Sequence, residues 1–225
     1  MPRRARLVVP GYPHHVTQRG IRGFRTFYRD DDYLAYLEML RKQLRVSPLT
    51  VWTYCLMPNH VHFVAVPSEE NGLAKLFRPL HAAYAKRINR EHGWQGHMWQ
   101  ERFYSVVMDE THALAAMRYV EQNPVRAGLC DRPEYWRWSS ARSNMGIVDD
   151  GIVDIAATAN VVGDWRSYLA AENSEGVQAS LRKHTRIGRP VGDTAFLKSL
   201  ESKTGKKILR QKISPAEPRK RSLSP

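Results

Sequence analysis

Two runs rich in β-branched and aromatic residues, 49–56 and 60–66, are separated only by Met57-Pro58-Asn59. So short a turn between two strands requires an antiparallel hairpin. Inside the second run stands His60-Val61-His62-Phe63. Strand alternation sends His60 and His62 to one face and Val61 and Phe63 to the other. The two imidazoles are then about 7 Å apart along the strand and can close on one cation. Histidine is the commonest metal ligand but also an ordinary surface residue, so the pair by itself is equally compatible with a solvated strand face.

Around this hairpin the chain alternates strand and helix patterns. A strand region is expected over Val8–Gln18, punctuated by Pro10-Gly11 and Pro13, with a second short extended piece over Phe24–Arg29. Asp30-Asp31-Asp32 suits a helix N-terminus, and Tyr33, Leu34, Leu37, Leu40 and Leu44 continue with helical spacing until Ser47-Pro48. Leu73–Arg90 is amphipathic: Leu73, Leu76, Phe77, Leu80, Tyr84 and Ile88 share one face, and Lys75, Arg78, Lys86, Arg87 and Arg90 lie opposite. Phe103–Met108 reads as a strand, and Asp109 or Thr111 caps a helix running to about Gln122. The order β, α, β, β, α, β, α predicts an α+β fold: an antiparallel sheet with helices packed on one face, related to the ferredoxin-like split βαβ. Beyond residue 145 a helical C-terminal extension is expected, with helices over Ile155–Ala171, Glu175–Lys183 and Asp193–Lys203.

The 35 Lys and Arg against 22 Asp and Glu give a net charge of +13, which attracts polyanions and makes nucleic acid the expected partner. Arginines cluster at Arg3/Arg4/Arg6, at Arg19/Arg22/Arg25/Arg29 and at Arg182/Lys183/Arg186/Arg189. The second cluster alternates with Phe24, Phe27 and Tyr28, a mixture suited to phosphates and unpaired bases. No apolar run approaches the roughly 18 residues of a membrane span, and the basic start does not make a signal peptide. Cys55 and Cys130 are too few for a disulfide framework and read as reduced thiols, so a cytoplasmic protein is expected.

The predicted helix near Ala115 adds a second chemical element. Leu114, Met117 and Val120 make a core stripe, while Tyr119 and Asn123, four residues apart, share a neighbouring face. A tyrosine oxygen can serve as a phosphoryl-transfer nucleophile, and a carboxamide oxygen can ligate a hard cation.

Pro58-Asn59-His60-Val61-His62, then Trp99-Gln100-Glu101-Arg102-Phe103-Tyr104, then Tyr119-Val120-Glu121-Gln122-Asn123-Pro124-Val125-Arg126-Ala127 together resemble the single-tyrosine HUH transposases. The branch they most resemble is the REP-associated tyrosine transposases. The resemblance extends to Gly11-Tyr12-Pro13-His14-His15-Val16-Thr17-Gln18-Arg19-Gly20, to Trp138-Ser139-Ser140, and to Gly188-Arg189-Pro190 in the extension. It implies a HUH nuclease core, with His60 and His62 as metal ligands and Tyr119 as the nucleophile. Asn123 becomes the third ligand, where many relatives have Gln. The cofactor implied is Mg²⁺ or Mn²⁺, and imidazole suits Mn²⁺ better. The activity implied is cleavage and rejoining of single-stranded DNA at hairpin-forming, REP-like repeats through a 5′-phosphotyrosine link, that is, DNA transposition.

On this basis 1–145 is the expected nuclease domain, 146–205 the helical extension and 206–225 a basic disordered tail. The tail carries seven Lys and Arg against one Glu, a net +6 with three prolines. The DNA contacts expected are Arg19, Arg22, Arg25, Arg78, Arg102, Arg182, Lys183, Arg186 and Arg189. No small-molecule cofactor is expected, and a monomer is favoured over a homodimer. The alternative is a domesticated hairpin-binding protein that keeps the fold without catalysis. A zinc hydrolase built on His60 and His62 lacks an evident third strong ligand nearby, and a ferredoxin-like RNA-binding module would want aromatics where this chain has histidines.

Overall fold

The computed structural model describes residues 6–171 and 173–209. Its centre is one four-stranded sheet of β1 (His14–Arg19), β2 (Leu49–Met57), β3 (His60–Pro67) and β4 (Tyr104–Val107). The order across the sheet is β2-β3-β1-β4, with every neighbouring pair antiparallel. Helix α1 (Asp30–Leu44) joins β1 to β2, and α2 (Gly72–His92) joins β3 to β4. This is the expected split βαβ arrangement. The hairpin is also as expected: Met57 pairs with His60 across the Pro58-Asn59 turn.

Helices cover both faces, not one. Val61, Phe63 and Ala65 of β3 share a core with Tyr36, Leu37 and Leu40 of α1 and with Leu73, Phe77 and Leu80 of α2. Val64, together with Cys55, Met57 and Val106, instead packs against Ala113, Ala116, Met117 and Val120 of α3 (Glu110–Glu121). The cause is visible in the pleat: β3 is apolar on its α1/α2 face throughout, and its other face carries the two histidines and then Val64. That second face is dry enough at Val64 to need a cover. Burying one side chain the size of Phe63 is worth about 2–3 kcal/mol, so both layers contribute to stability.

Several local expectations are corrected. Strand β1 begins only at His14, because residues before it are engaged in turns; the Gly11 amide reaches the Pro67 carbonyl at 2.8 Å with φ +78°. Phe24–Arg29 forms no strand. The Thr26 and Phe27 amides both donate to the Pro58 carbonyl, and the Phe27 ring turns inward against Tyr33, Tyr36 and Tyr84. Gly20, just before, lies so close to the Phe24 carbonyl that a Cβ would sit 2.3 Å from it.

After α3 come the short helices α4 (Asn123–Arg126) and α5 (Ala141–Asn144). The helix expected over Ile155–Ala171 is two: α6 (Ile155–Ala159) and α7 (Trp165–Ala170). Asp164 breaks it by accepting from the Arg166 and Ser167 amides as an N-cap. Helices α8 (Glu175–Ile187) and α9 (Thr194–Thr204) follow, and Leu181 of α8 packs into the same core as α3. Among the described residues no helix is long and apolar enough to cross a membrane. Cys55 is buried and Cys130 partly so, both as free thiols. Most of the expected basic tail lies outside the described residues.

Candidate active site

Because α3 lies over the histidine-bearing face, its last turn meets β3. Asp109 caps α3 by accepting the His112 amide at 2.8 Å, and Ala113, Ala116, Met117 and Val120 seat it on the sheet. Tyr119 is then brought within ring contact of His62, with centroids 5.8 Å apart, and of His15 on β1, at 6.1 Å. The His60 and His62 rings stand 4.7 Å apart. A cavity of about 580 Å³ opens here, lined by His15, Thr17, Arg19, Asn59, His60, His62, Gln100, Tyr104, Tyr119 and Thr185. Four of the sequence-selected residues, Arg19, His60, His62 and Tyr119, thus share one cavity.

Each histidine is prepared for ligation on one side. Asn59 Oδ1 lies 2.5 Å from His60 Nδ1, which it accepts from, leaving Nε2 with its lone pair. Asn59 is itself held by donation from Nδ2 to the Gly23 carbonyl. His62 Nδ1 lies 3.0 Å from His15 Nε2. Burial pushes the His60 imidazole down to about 4, helped by the Arg19 guanidinium beside it, and pushes His62 well below the ordinary range. Both are therefore neutral near pH 7, as metal ligation requires.

Asn123 stands at the start of α4, two residues beyond the end of α3, and is buried. It does not line the cavity. Its Nδ2 is buried without a hydrogen-bond partner, which leaves the carboxamide uncommitted at that end. Among the described residues no group of three or more His, Cys, Asp or Glu is arranged to hold a metal. An ion held here would need a further ligand of another kind beside the imidazole nitrogens of His60 and His62.

Tyr119 is only 7% exposed. The Arg126 guanidinium lies 4.0 Å over its ring and also donates to its backbone carbonyl, which fixes the ring at the cavity wall. Two residues on, Glu121 is fully buried; Ser140 Oγ and Asn144 Nδ2 donate to its Oε1 at 2.5 and 2.7 Å. Burial pushes its carboxyl up to about 8. Ser140 also accepts the Tyr54 amide, so the Trp138-Ser139-Ser140 segment ties the end of α3 to β2. The Trp99–Tyr104 block braces the opposite wall: Trp99 Nε1 donates to the His81 carbonyl, the Gln100 amide to the Arg19 carbonyl, and Gln18 to the Glu101 carbonyl.

The expected DNA contacts divide. Arg19 lines the cavity. Arg78 and Arg102 line a second cavity of about 520 Å³ with Arg6, Phe77, Trp99 and Phe103, and Gln18 and Gln100 border both. Burial, helped by the neighbouring guanidiniums of Arg102 and Arg78, pushes Arg6 down to about 10. Arg22, Arg25 and Lys183 are exposed and Arg189 partly so, away from both cavities. The side chains of Arg182 and Arg186 lie outside the described residues. Arg6 stood in a basic cluster and Asn59 and His15 in the quoted motifs without a site role, and Thr185 was not singled out. Alternation along 14–19 puts His15, Thr17 and Arg19 on one face.

Residues 14–123 match the family described as transposase, IS200 like. No curated protein matches the chain. Among solved structures, a REP-associated tyrosine transposase bound to a REP hairpin is similar over 69% of this chain and 93% of its own, with 17% identity and a TM-score of 0.52. A candidate transposase from Deinococcus radiodurans covers 54% of this chain and 97% of its own at 16% identity, with a TM-score of 0.38. At these identities the first likeness is one of fold.

Proposed function

We propose that this chain, whose residues 14–123 match the IS200-like transposase family, nicks and rejoins single-stranded DNA at the foot of hairpin-forming repeats. The observation that carries this reading is the convergence of Tyr119, His60 and His62 on one cavity. The Tyr119 hydroxyl oxygen attacks the scissile phosphorus, the bond from phosphorus to the 3′-oxygen breaks, and the tyrosine proton ends on that leaving oxygen. The product is a 5′-phosphotyrosine and a free 3′-hydroxyl. One diester replaces another, so the step reverses into joining.

A divalent ion held by His60, His62 and Asn123 would polarise the scissile phosphate and offset charge in the transition state. Arg19 binds a phosphate oxygen at the rim, and Arg126 holds the Tyr119 ring in line. Arg6, Arg78 and Arg102 take phosphates of the adjoining strand in the second cavity. The hairpin as substrate is the REP-branch reading, supported by the shared fold with the hairpin-bound transposase.

The test is a hairpin oligonucleotide labelled at its 3′ end, incubated with Mn²⁺ and the protein. Wild type should form a covalent adduct on a denaturing gel, and Tyr119→Phe should form none while binding the hairpin within about threefold of wild type. Hairpin binding without any adduct from wild type would leave the non-catalytic binding protein as the correct reading.

A further inference from the structure

The cavity wall includes a residue that neither the hairpin motif nor the tyrosine helix accounts for. Thr185 belongs to α8, and its hydroxyl meets His15 at the cavity wall. Four groups stand in line. Thr185 Oγ1 donates to the Leu181 carbonyl at 2.7 Å. His15 Nδ1 lies 2.8 Å from Thr185 Oγ1. His15 Nε2 lies 3.0 Å from His62 Nδ1. The two imidazole planes differ by only 4° with centroids 5.2 Å apart, so the rings meet edge to edge.

Counting protons gives this chain one direction. A threonine hydroxyl has one hydrogen, and the Leu181 carbonyl takes it. Thr185 Oγ1 therefore accepts from His15, and His15 carries its proton on Nδ1. A neutral imidazole with Nδ1 protonated has only a lone pair on Nε2. His62 must then donate from Nδ1, and its own Nε2 is left bare.

We propose that His15 and Thr185 are positioning residues: a hydrogen-bond relay from the Leu181 carbonyl of α8 through Thr185 and His15 fixes His62 in the tautomer that presents Nε2 to a divalent metal. The inference rests on the reading of His62 as a ligand and assigns the C-terminal extension a part in building the site. Ligating histidines ordinarily donate their second ring nitrogen to a carboxylate, carbonyl or water, and such partners set tautomer and ring orientation. Here the partner is another imidazole, and the terminal acceptor is a helix carbonyl whose intrahelical bond is shared with the threonine. Both imidazoles are largely buried, at 2% and 7% exposure, which strengthens the bonds between them. His15 itself has no nitrogen left over for an ion.

The test reads the tautomers directly, on the full-length protein without metal or DNA, from ¹⁵N shifts of the histidine rings. In wild type His15 and His62 should both be protonated on Nδ1. Thr185→Val removes the acceptor; His15 should shift to the Nε2-protonated form and drive His62 to the same, and Mn²⁺ affinity, read by electron paramagnetic resonance, should fall by at least about tenfold. Thr185→Ser should restore both. A wild-type His62 protonated on Nε2 overturns the relay without any variant. So do unchanged tautomers and unchanged Mn²⁺ affinity in a folded Thr185→Val. Failure of wild type to form the hairpin adduct while the tautomers stand as expected would refute the catalytic reading and leave the relay in place.

Discussion

Asn59 Oδ1 lies 2.5 Å from Nδ1 of His60, its immediate neighbour in the chain. The residue that closes the hairpin also aims the first histidine. Asn59→Ala removes that acceptor and the bond to the Gly23 carbonyl together. Mn²⁺ affinity should fall about 10- to 100-fold, with stability lowered by no more than the loss of two hydrogen bonds, ~2 kcal/mol. Isothermal titration with Mn²⁺ alone checks it; unchanged affinity would remove Asn59 from the site.

His60→Ala and His62→Ala should each abolish adduct formation, and EDTA should do the same to wild type. Both side chains line the cavity and are not core packing, so circular dichroism should be unchanged. Full activity in EDTA would sink the metal role.

Arg78→Ala and Arg102→Ala should weaken hairpin binding without stopping cleavage at saturating protein. Each lost phosphate contact should reduce the slope of log affinity against log salt by about 1. Identical slopes in variants and wild type would mean that the second cavity does not hold DNA.

His81 supplies a pH dependence away from the active chemistry. It is buried on α2, with Nε2 3.0 Å from the Tyr36 hydroxyl of α1. Burial pushes the imidazole down to about 3. Below pH 6.5 the unfolded chain takes up a proton that the folded one refuses, so stability is level above pH 6.5 and falls as pH drops toward 3, by about 1.4 kcal/mol per pH unit at the steepest. His14, pushed by burial to about 4, adds in the same direction. His81→Gln should lower stability at pH 7.5 yet flatten the acid limb of a urea-midpoint profile. A profile parallel to wild type would show that His81 is not a source of the slope.

Removing the basic tail should be done after Leu209, not after Gly205, since the Ile208 and Leu209 amides both donate to Glu201 Oε1 and Ile208 packs against the core that holds Leu200. Residues 210–225 carry five Lys and Arg against one Glu. Their deletion should weaken hairpin binding at low salt and flatten the salt slope, with adduct formation intact at saturation. No change in either would exclude the tail as a DNA contact.

What was legible in the chain was local. Two-residue alternation put His60 and His62 on one face; helical spacing placed Tyr119 beside the core stripe of α3; the Pro58-Asn59 turn required the hairpin. These follow from pleat, pitch and turn length, which act between residues a few positions apart. Charge forecast a polyanionic partner but not which arginines share a cavity. The face that α3 covers, and so the approach of Tyr119 to His62, was decided by packing, because the apolar content of β3 needed partners on both sides. The bonds that orient His62 span 47 residues to His15 and then 170 more to Thr185. No periodicity encodes such separations. Only the closed tertiary structure, which desolvates the imidazoles and sets their partners, chooses where their protons sit.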